Sequence, residues 1–355
     1  MRTEYFITMD THCRTTDICV KTASGKLVKR EHVSTGIGQL REVIESVPRP
    51  RRVAFEEGPM AGWLFRNLKE SVDELIVCDP RRNAYVAKDG DKDDPIDAEK
   101  LNDLYRSGYL RTVHQLDESK KAAAKQVIGM YHDRVKHRVA ESNVLLALCR
   151  RWGVVASRTR LMKSDGQSWL KTQLTEAKAP STAVDMALDQ FKSFECAAEQ
   201  EQSLYKQVCV MARTETMMAR SRELPGYGPV RAATLIAYLD TPWRFKSKSA
   251  LWKYVGIGLR REKSGSGPDY LRVEQCCNRL LRCMVIGAAQ NAIDQKDNVF
   301  AERYTRWMQA GLSTRNARRN VARDQVTAIW GMWKTDKAFD PKLIDSAKLM
   351  EKDSG

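Results

Sequence analysis

Four acidic residues in the first hundred positions stand where their carboxylates can act together. Asp10 ends one strand-like segment, and Glu56 ends another. Asp94 and Asp97 open a predicted helix. Strand ends of a mixed sheet meet at one edge, and carboxylates three residues apart on a helix project to one side. Carboxylates brought together repel one another unless a divalent cation binds them, and Mg²⁺, or alternatively Mn²⁺, prefers oxygen ligands. We therefore predict a catalytic metal site, able to polarise a phosphodiester, at Asp10, Glu56, Asp94 and Asp97.

Each of these acids also has a structural interpretation. In the segment DDPID, Asp94 can cap the helix and Pro95 suits the first helical position. Asp97 suits the positive end of the helix dipole. The two strand-end acids can be ordinary strand-end residues, and Glu57 and Asp93 compete with their neighbours as ligands. The occurrence of the whole set in the order of one fold favours the metal site.

A second candidate for chemistry is the loop SGSG at 264–267, which lies between basic residues. The basic residues on either side are Arg260, Arg261, Lys263, Arg272, Arg279 and Arg282. A serine of this loop can attack phosphorus while guanidinium groups stabilise the developing charge. The same residues equally describe a flexible loop over a cationic surface, and composition alone does not choose between the two.

The segment LPGYGPVRAATLIAYL, residues 224–239, has the pattern of a helix-hairpin-helix motif. Gly226 and Gly228 allow a tight turn with positive φ, and Pro229 suits the start of the next helix. Backbone N–H groups exposed at such a turn can bind a phosphate. A glycine-containing turn between two helices is the alternative. Because a basic stretch follows, we predict that both glycines and the basic residues around the SGSG loop bind nucleic acid.

The elements that must position these residues follow from the hydrophobic pattern. Residues 4–33 alternate as three strands with short polar turns, and a helix follows from about Ile37 to Val47. RRVAFEE and ELIVCDP are then predicted as strands on either side of a helix in GPMAGWLFRNLKES. Three antiparallel strands followed by β-α-β is the order of ribonuclease-H-like folds. We therefore predict a ribonuclease-H-like α/β domain over residues 1–115.

Downstream, the pattern changes to long helices. The run ESKKAAAKQVIGMYHDRVKHRVAESNVLLALCRRW and a second run from about Ser181 to Arg220 both carry a helical apolar stripe. Two such helices indicate an antiparallel coiled-coil hairpin over 116–220 that spaces domains or mediates oligomerisation, with packing into a compact domain as the alternative. From 221 to 335 we predict a mostly α-helical domain, and from 336 to 355 a solvated tail.

The charge of the chain favours a polyanionic partner. The net charge is +15, and residues 241–335 hold 18 Lys and Arg against 7 Asp and Glu, an excess of +11. Nucleic acid is the commonest polyanion, while a basic surface that serves solubility alone is the alternative. Nine cysteines without a CxxC pair make a structural zinc site unexpected. Since neither a membrane helix nor a signal peptide is recognised, we expect no membrane contact and a cytoplasmic location.

Over nearly its whole length the chain resembles the insertion-sequence DEDD transposases that combine a RuvC-like domain with a C-terminal serine domain, the bridge-RNA-guided recombinases. The N-terminal resemblance lies in Asp10, in Glu56 of EEGPMAGWL, and in Asp94 and Asp97 of KDDPIDA. The C-terminal resemblance lies in LPGYGPVRAATLIAYL, in RFKS, in YVGIGL and in the SG motif at Ser264.

The choice of serine follows from the same resemblance. The family's catalytic serine precedes a basic residue by 18 positions, and Ser264 stands at that distance from Arg282. Asn278 falls where the family has Asn or Asp, whereas Ser266 is two positions short of the family spacing. The segment LRVEQCCN lacks the family's I-S-K-x-G residues, so Ser266 stays open as the alternative.

The resemblance implies a specific activity. In this family a structured non-coding guide RNA pairs with target and donor DNA, and the enzyme cuts and rejoins the DNA strands. The acids bind Mg²⁺ near the scissile phosphate, and the serine, here Ser264, forms a covalent link to DNA. The two domains meet across subunits of a tetramer built from dimers. We accordingly expect donor and target DNA, a guide RNA and a homo-oligomer, in the bacterial cytoplasm or nucleoid.

Two other functions stay open. A metal-only RuvC-like nuclease, such as a junction resolvase, needs the four acids but no serine. A non-catalytic nucleic-acid-binding protein needs only the basic surface.

Overall fold

The computed structural model describes residues 3–80, 94–262 and 270–344, of which 94–96, 262 and 270 are described by their backbone alone. The chain divides into two compact units, Met1–Ala122 and Ala123–Gly355. The first is a mixed α/β unit, and the second is mostly helical. Lys263, Ser264 and Ser266 lie outside the described residues.

The first unit is built on a five-stranded mixed sheet. Its strands are β1 (Tyr5–Thr11), β2 (Thr15–Thr22), β3 (Leu27–Ser34), β4 (Arg51–Glu56) and β5 (Glu74–Cys78). Their order is β3-β2-β1-β4-β5, in which β1, β2 and β3 pair antiparallel while β4 pairs parallel with both β1 and β5. The predicted succession of three strands, helix, strand, helix and strand is confirmed. Parallel pairing brings the carboxyl ends of β1, β4 and β5 to one edge.

Helices cover both faces of this sheet. Helices α1 (Ile37–Glu45) and α2 (Ala61–Leu68) pack on one face, where Ile7 is completely buried. On the other face, helix α3 (Asp94–Arg106) brings Tyr105 against Phe6, with ring centroids 5.1 Å apart. Burial on both sides explains why β1 is a nearly continuous apolar run rather than a strict alternation.

Helix α3 is held on the sheet by buried hydrogen bonds. The hydroxyl of Thr8 donates to the carbonyl oxygen of Ala98 at 2.6 Å. Asn102 Nδ2 donates to the carbonyl oxygens of Phe6 at 2.8 Å and Cys19 at 3.2 Å. Because Thr8 and Asn102 are completely buried, an unmade bond would leave a polar group without water, and the helix is fixed against β1.

The rest of the chain is mostly helical. Its helices are α4 (Ser119–Arg151), α5 (Arg158–Leu161), α6 (Gly166–Glu176), α7 (Ser181–Thr214), α8 (Thr216–Ser221), α9 (Pro229–Leu239), α10 (Lys248–Tyr254), α11 (Arg279–Asp294), α12 (Val299–Gln309) and α13 (Thr314–Thr335). No helix in the described part is long and apolar enough to cross a membrane.

The two long helices α4 and α7 run antiparallel along each other. Arg134 Nη1 donates to Gln200 Oε1 at 3.0 Å, and Gln190 Nε2 donates to Glu141 Oε2 at 2.6 Å, so later residues of α4 meet earlier residues of α7. The second helix ends at Thr214 rather than near the predicted Arg220, because the backbone of Glu215 is extended.

The apolar stripes of α4 and α7 enter two separate cores. At one end of the pair, Leu145 of α4 and Phe194 of α7 pack with residues of α6. At the other end, Ile128 and Val208 belong to the large core of the C-terminal helices. The pair therefore shares a core with the C-terminal helices at one end only.

The C-terminal part differs from its prediction in two places. A two-stranded antiparallel hairpin, β6 (Leu259–Glu262) and β7 (Tyr270–Val273), flanks the segment that was predicted as a bare loop. Beyond α13, Phe339 stacks on Phe300 with ring centroids 5.7 Å apart, so the predicted tail begins with a packed residue.

The substitution Thr8→Val tests how firmly α3 is fixed. Valine has nearly the same shape but no hydroxyl, so the carbonyl of Ala98 loses its donor in a site without water. We expect a loss of about 1–3 kcal/mol in the free energy of unfolding, measured by urea titration with circular dichroism. Thr8→Ser keeps the hydroxyl, so its free energy of unfolding should fall by less than that of Thr8→Val. Equal midpoints for Thr8→Val and the unmodified protein would contradict this account.

Candidate functional site

Three of the four predicted acids lie at or beside the carboxyl edge of the sheet. Asp10 is the last residue but one of β1, and Glu56 is the last residue of β4. Asp97 lies in the first turn of α3, directly before Ala98, whose carbonyl is bonded to Thr8. The strand ends and the anchored helix thus direct the three acids to one region of the first unit.

The carboxyl of Glu56 shows that these acids share one electrostatic environment. Its pKa is raised above its usual value, first by partial desolvation and then by the negative charges of Asp10, Asp97 and Asp79. Because Glu56 is exposed as a residue, water screens the repulsion, and its effect on stability is modest. The charges of Asp10 and Asp97 therefore act on Glu56, while the metal site predicted at these acids stays a prediction.

Two residues of this edge were not predicted. Asp79 directly follows β5, and its charge acts on Glu56 together with those of the predicted acids. His12 Nε2 lies 3.4 Å from Asp10 Oδ2. The signal for Asp79 was present in the segment ELIVCDP, since this acid also follows a strand that is parallel to β4.

Carboxylate oxygens are the donors that this edge offers to a cation. The fourth predicted acid, Asp94, begins α3, and its side chain lies outside the described residues. Among the side chains that the structure describes, no three His, Cys, Asp or Glu groups form a cluster that could hold a metal ion. Oxygen donors suit Mg²⁺ or Mn²⁺ rather than zinc, and a divalent cation would relieve their repulsion. The donor chemistry fits Mg²⁺, while the described carboxylates are not drawn together as ligands.

In the second unit, the predicted basic residues lie on the β6–β7 hairpin and at the start of α11. Those exposed to solvent are Arg260, Arg261, Arg272 and Arg279. Arg260 stands directly opposite Arg272 across the hairpin. Arg282 is less exposed, and its Nη2 donates to the carbonyl oxygen of Glu274 at 2.7 Å. The roles of Lys263, Ser264 and Ser266 stay predictions, because those residues are not described.

The two predicted phosphate-binding glycines differ in their surroundings. Gly226 is buried with φ +86°, and a Cβ there would lie 2.0 Å from the carbonyl oxygen of Ala288 on α11. Gly228 is exposed at the N-terminal cap of α9 with φ −75°, so the predicted positive φ is confirmed for Gly226 and wrong for Gly228. Close packing against α11 explains the glycine at 226, and only Gly228 leaves its backbone open to a ligand.

A group of basic residues on α13 was not predicted as part of a site. Its members are Arg315, Arg318, Arg319 and Arg323. The pKa of Arg319 is lowered, first by desolvation and then by the positive charges of Arg282 and the other three. The segment TRNARRNVARD carries the signal, because arginines four residues apart share one face of a helix.

Residues 218–305 match a family model described as "Transposase IS116/IS110/IS902 family". This segment is therefore similar to the transposases of that family. It contains the Gly226 turn, the β6–β7 hairpin and α11, whereas the acids of the first unit and the arginines of α13 lie outside it. A curated protein of Sinorhizobium fredii (strain NBRC 101917 / NGR234), named "Putative transposase y4pF/y4sB", is 23% identical over 302 residues, which cover 84% of this chain and 73% of that protein.

The substitution Glu56→Gln tests the convergence of the acids. The raised pKa means that the ionised carboxylate costs stability at pH 8, so the neutral glutamine should stabilise the metal-free protein, by roughly 0.5 kcal/mol. As the pH falls through the raised pKa, Glu56 itself becomes neutral and the difference should vanish. Thermal unfolding of both proteins in EDTA from pH 4 to 8 measures this, with Glu57→Gln as the neighbouring control. A destabilised Glu56→Gln at pH 8 would count against repulsion at this edge.

A matched pair of substitutions tests the glycine turn at residues 226–228. Gly226→Ala should lower the free energy of unfolding by about 3 kcal/mol or more, because the new Cβ meets backbone and the positive φ is strained. Gly228→Ala should change it by less than about 1 kcal/mol, since nothing lies within 4 Å of its added Cβ. Thermal melts compare the two variants. Similar losses of stability at both positions would refute the conclusion that Gly226 is closely packed while Gly228 is open.

Proposed function

We propose that this chain is the transposase of an insertion sequence and acts as a DNA recombinase that cuts and rejoins strands. The observation that carries the proposal is the similarity of residues 218–305 to a transposase family, in a segment that includes the arginine-rich β6–β7 hairpin. Exposed basic side chains suit a polyanion, and DNA is the polyanion on which a transposase acts. The phosphates of single-stranded DNA and of duplex DNA both supply the negative charge that these arginines would bind.

The first unit would supply the metal-dependent part of the reaction. The strand order β3-β2-β1-β4-β5, with three antiparallel strands and two parallel ones, supports a ribonuclease-H-like, RuvC-like fold. Asp10, Glu56, Asp94 and Asp97 would hold Mg²⁺, with Asp79 as a further oxygen donor at the same edge. When bound, Mg²⁺ would polarise the scissile phosphodiester.

Ser264 would be the nucleophile. Its Oγ would form a bond to phosphorus as the bond from phosphorus to one DNA oxygen breaks, and that oxygen would leave with a proton. The hairpin arginines would stabilise the charge on the pentavalent phosphorus. Because one phosphodiester replaces another, the strand can be rejoined by the reverse reaction without a high-energy cofactor.

The resemblance described above extends the proposal to a guide RNA and to a tetramer built from dimers. The net charge of +15 is compatible with two nucleic acids at once. Apolar side chains stand exposed on the long helices, among them Met130 at 54% and Met186 at 60%, and these favour self-association through the α4–α7 pair.

Covalent trapping tests the proposal against its two rivals. A nicked suicide DNA substrate is incubated with protein and Mg²⁺, together with the RNA that copurifies, and adducts are separated on denaturing gels. We expect an adduct with the unmodified protein and with Ser266→Ala, and none with Ser264→Ala or Asp97→Asn. Nucleic-acid binding should persist in all four proteins.

Each other outcome of the trapping experiment would indicate a different function or a different nucleophile. Cleavage by Ser264→Ala without any adduct would indicate a metal-only nuclease. An adduct mapped to Ser266 would overturn the choice of serine. Binding that never leads to cleavage, with or without Mg²⁺, would indicate a non-catalytic nucleic-acid-binding protein.

A further inference from the structure

A cavity of about 330 Å³ lies between the β6–β7 hairpin and the N-terminal half of α13. The hairpin contributes the apolar side chains of Leu259, Leu271 and Val273. Helix α13 contributes Arg319 and Arg323 together with two asparagines. No acidic side chain lines the cavity in the part of the chain that the structure describes. One wall is therefore apolar and the other cationic.

The two arginines have fixed positions and unused donors. Arg323 Nε donates to the carbonyl oxygen of Ile257 at 2.9 Å, and its Nη1 donates to Asn320 Oδ1 at 2.8 Å. With described residues, Arg319 makes one hydrogen bond, from Nη1 to Asn316 Oδ1 at 3.2 Å. A guanidinium carries five N–H donors, so both side chains keep several for a ligand. Each is oriented by an amide partner from its own helix.

The cationic wall concentrates charge that the described residues do not neutralise. The pKa of Arg319 is lowered by desolvation and by four neighbouring arginines, and desolvation also lowers the pKa of Arg323. The acid whose charge acts on Arg323 is Asp324, and its carboxylate accepts a hydrogen bond from Arg303 Nε at 2.6 Å. The free protein thus holds like charges together at a cost in stability, which an anionic ligand would offset.

We propose that this cavity binds the sugar–phosphate backbone of a nucleic acid, with Arg319 and Arg323 donating to phosphate oxygens and the sugar lying against Leu259 and Leu271. Two N–H groups of one guanidinium can donate to two oxygens of one phosphate. The apolar wall is better covered by a deoxyribose or ribose ring than by water. The proposal rests on the proposed function, because the ligand is the DNA or guide RNA on which that function depends. Arg319 and Arg323 lie outside residues 218–305, whereas the apolar wall lies within them, so the site adds a contact from α13 to those of the matched segment.

Fluorescence anisotropy with a 20-base-pair DNA duplex and a 20-nucleotide RNA tests the site in the full-length protein. We expect Arg319→Gln to weaken binding about 5- to 10-fold at 0.1 M salt. The slope of log K against log salt concentration should fall by about one, the value for one lost phosphate contact. Arg319→Lys keeps the charge, so it should retain the slope and part of the affinity. Loss for one polymer alone identifies which nucleic acid uses the site.

Arg213→Gln is the matched control, because it removes the same charge from an exposed position on α7. Its affinity should stay within twofold of the unmodified protein. The thermal midpoint of Arg319→Gln should be unchanged or higher, since the substitution relieves repulsion. Three results for Arg319→Gln would overturn the site. They are a thermal midpoint below that of the unmodified protein, an unchanged salt slope, or a loss of affinity for polyglutamate as large as the loss for nucleic acid. Failure of the unmodified protein to bind either nucleic acid would instead overturn the proposed function.

Discussion

The buried hydrogen bond from Thr8 Oγ1 to the carbonyl oxygen of Ala98 is the contact on which the geometry of the acidic edge depends. It joins the middle of β1 to the first turn of α3 across 90 residues of sequence. Because Asp10 follows Thr8 by two residues and Asp97 directly precedes Ala98, this bond sets how far apart the two acids stand. Asn102 repeats the anchor about one turn later with two strand carbonyls. Moving α3 would leave several buried polar groups unpaired, so the placement of Asp97 is costly to change.

Both candidate sites bring charges of one sign near one another, whereas the buried Lys21 is paired. Lys21, which is almost completely buried, meets Asp103 at 2.9 Å and Glu99 at 3.0 Å. At the sheet edge, by contrast, the charges that raise the pKa of Glu56 are those of three acids, and the charges that lower the pKa of Arg319 on α13 are those of four arginines. Perturbed titration beside like charges is characteristic of sites that bind a ligand of the opposite charge.

The sequence predicted the strands well because each is a short alternating or apolar segment bounded by polar turns. It singled out Asp10 and Glu56 because acids at strand ends meet at one edge. It did not predict Asp79, since an Asp-Pro pair after a strand is equally typical of a turn and its proximity to Glu56 arises only through parallel pairing. The β6–β7 hairpin was missed because its strands have four residues each and are too short for a pattern of alternation. The α13 arginines were predictable as one helical face, but the apolar wall that faces them comes from residues about fifty positions upstream.

The glycine turn at residues 226–228 shows why nucleic-acid binding there would depend on side chains more than on backbone amides. The first half of the turn is closed by two helices, since Gly226 packs against the backbone of α11 and Gln325 Nε2 of α13 donates to the carbonyl oxygen of Pro225 at 2.8 Å. Only Gly228 and the start of α9 remain open, which is a small surface for a phosphate. Two residues of α13 thus have separate roles that depend on the same position of the helix. Gln325 secures the turn, and Arg319, less than two helical turns earlier, faces the cavity. A shift of α13 large enough to move the backbone of Arg319 would also break the bond that closes the turn, so the register of α13 fixes where Arg319 enters the cavity.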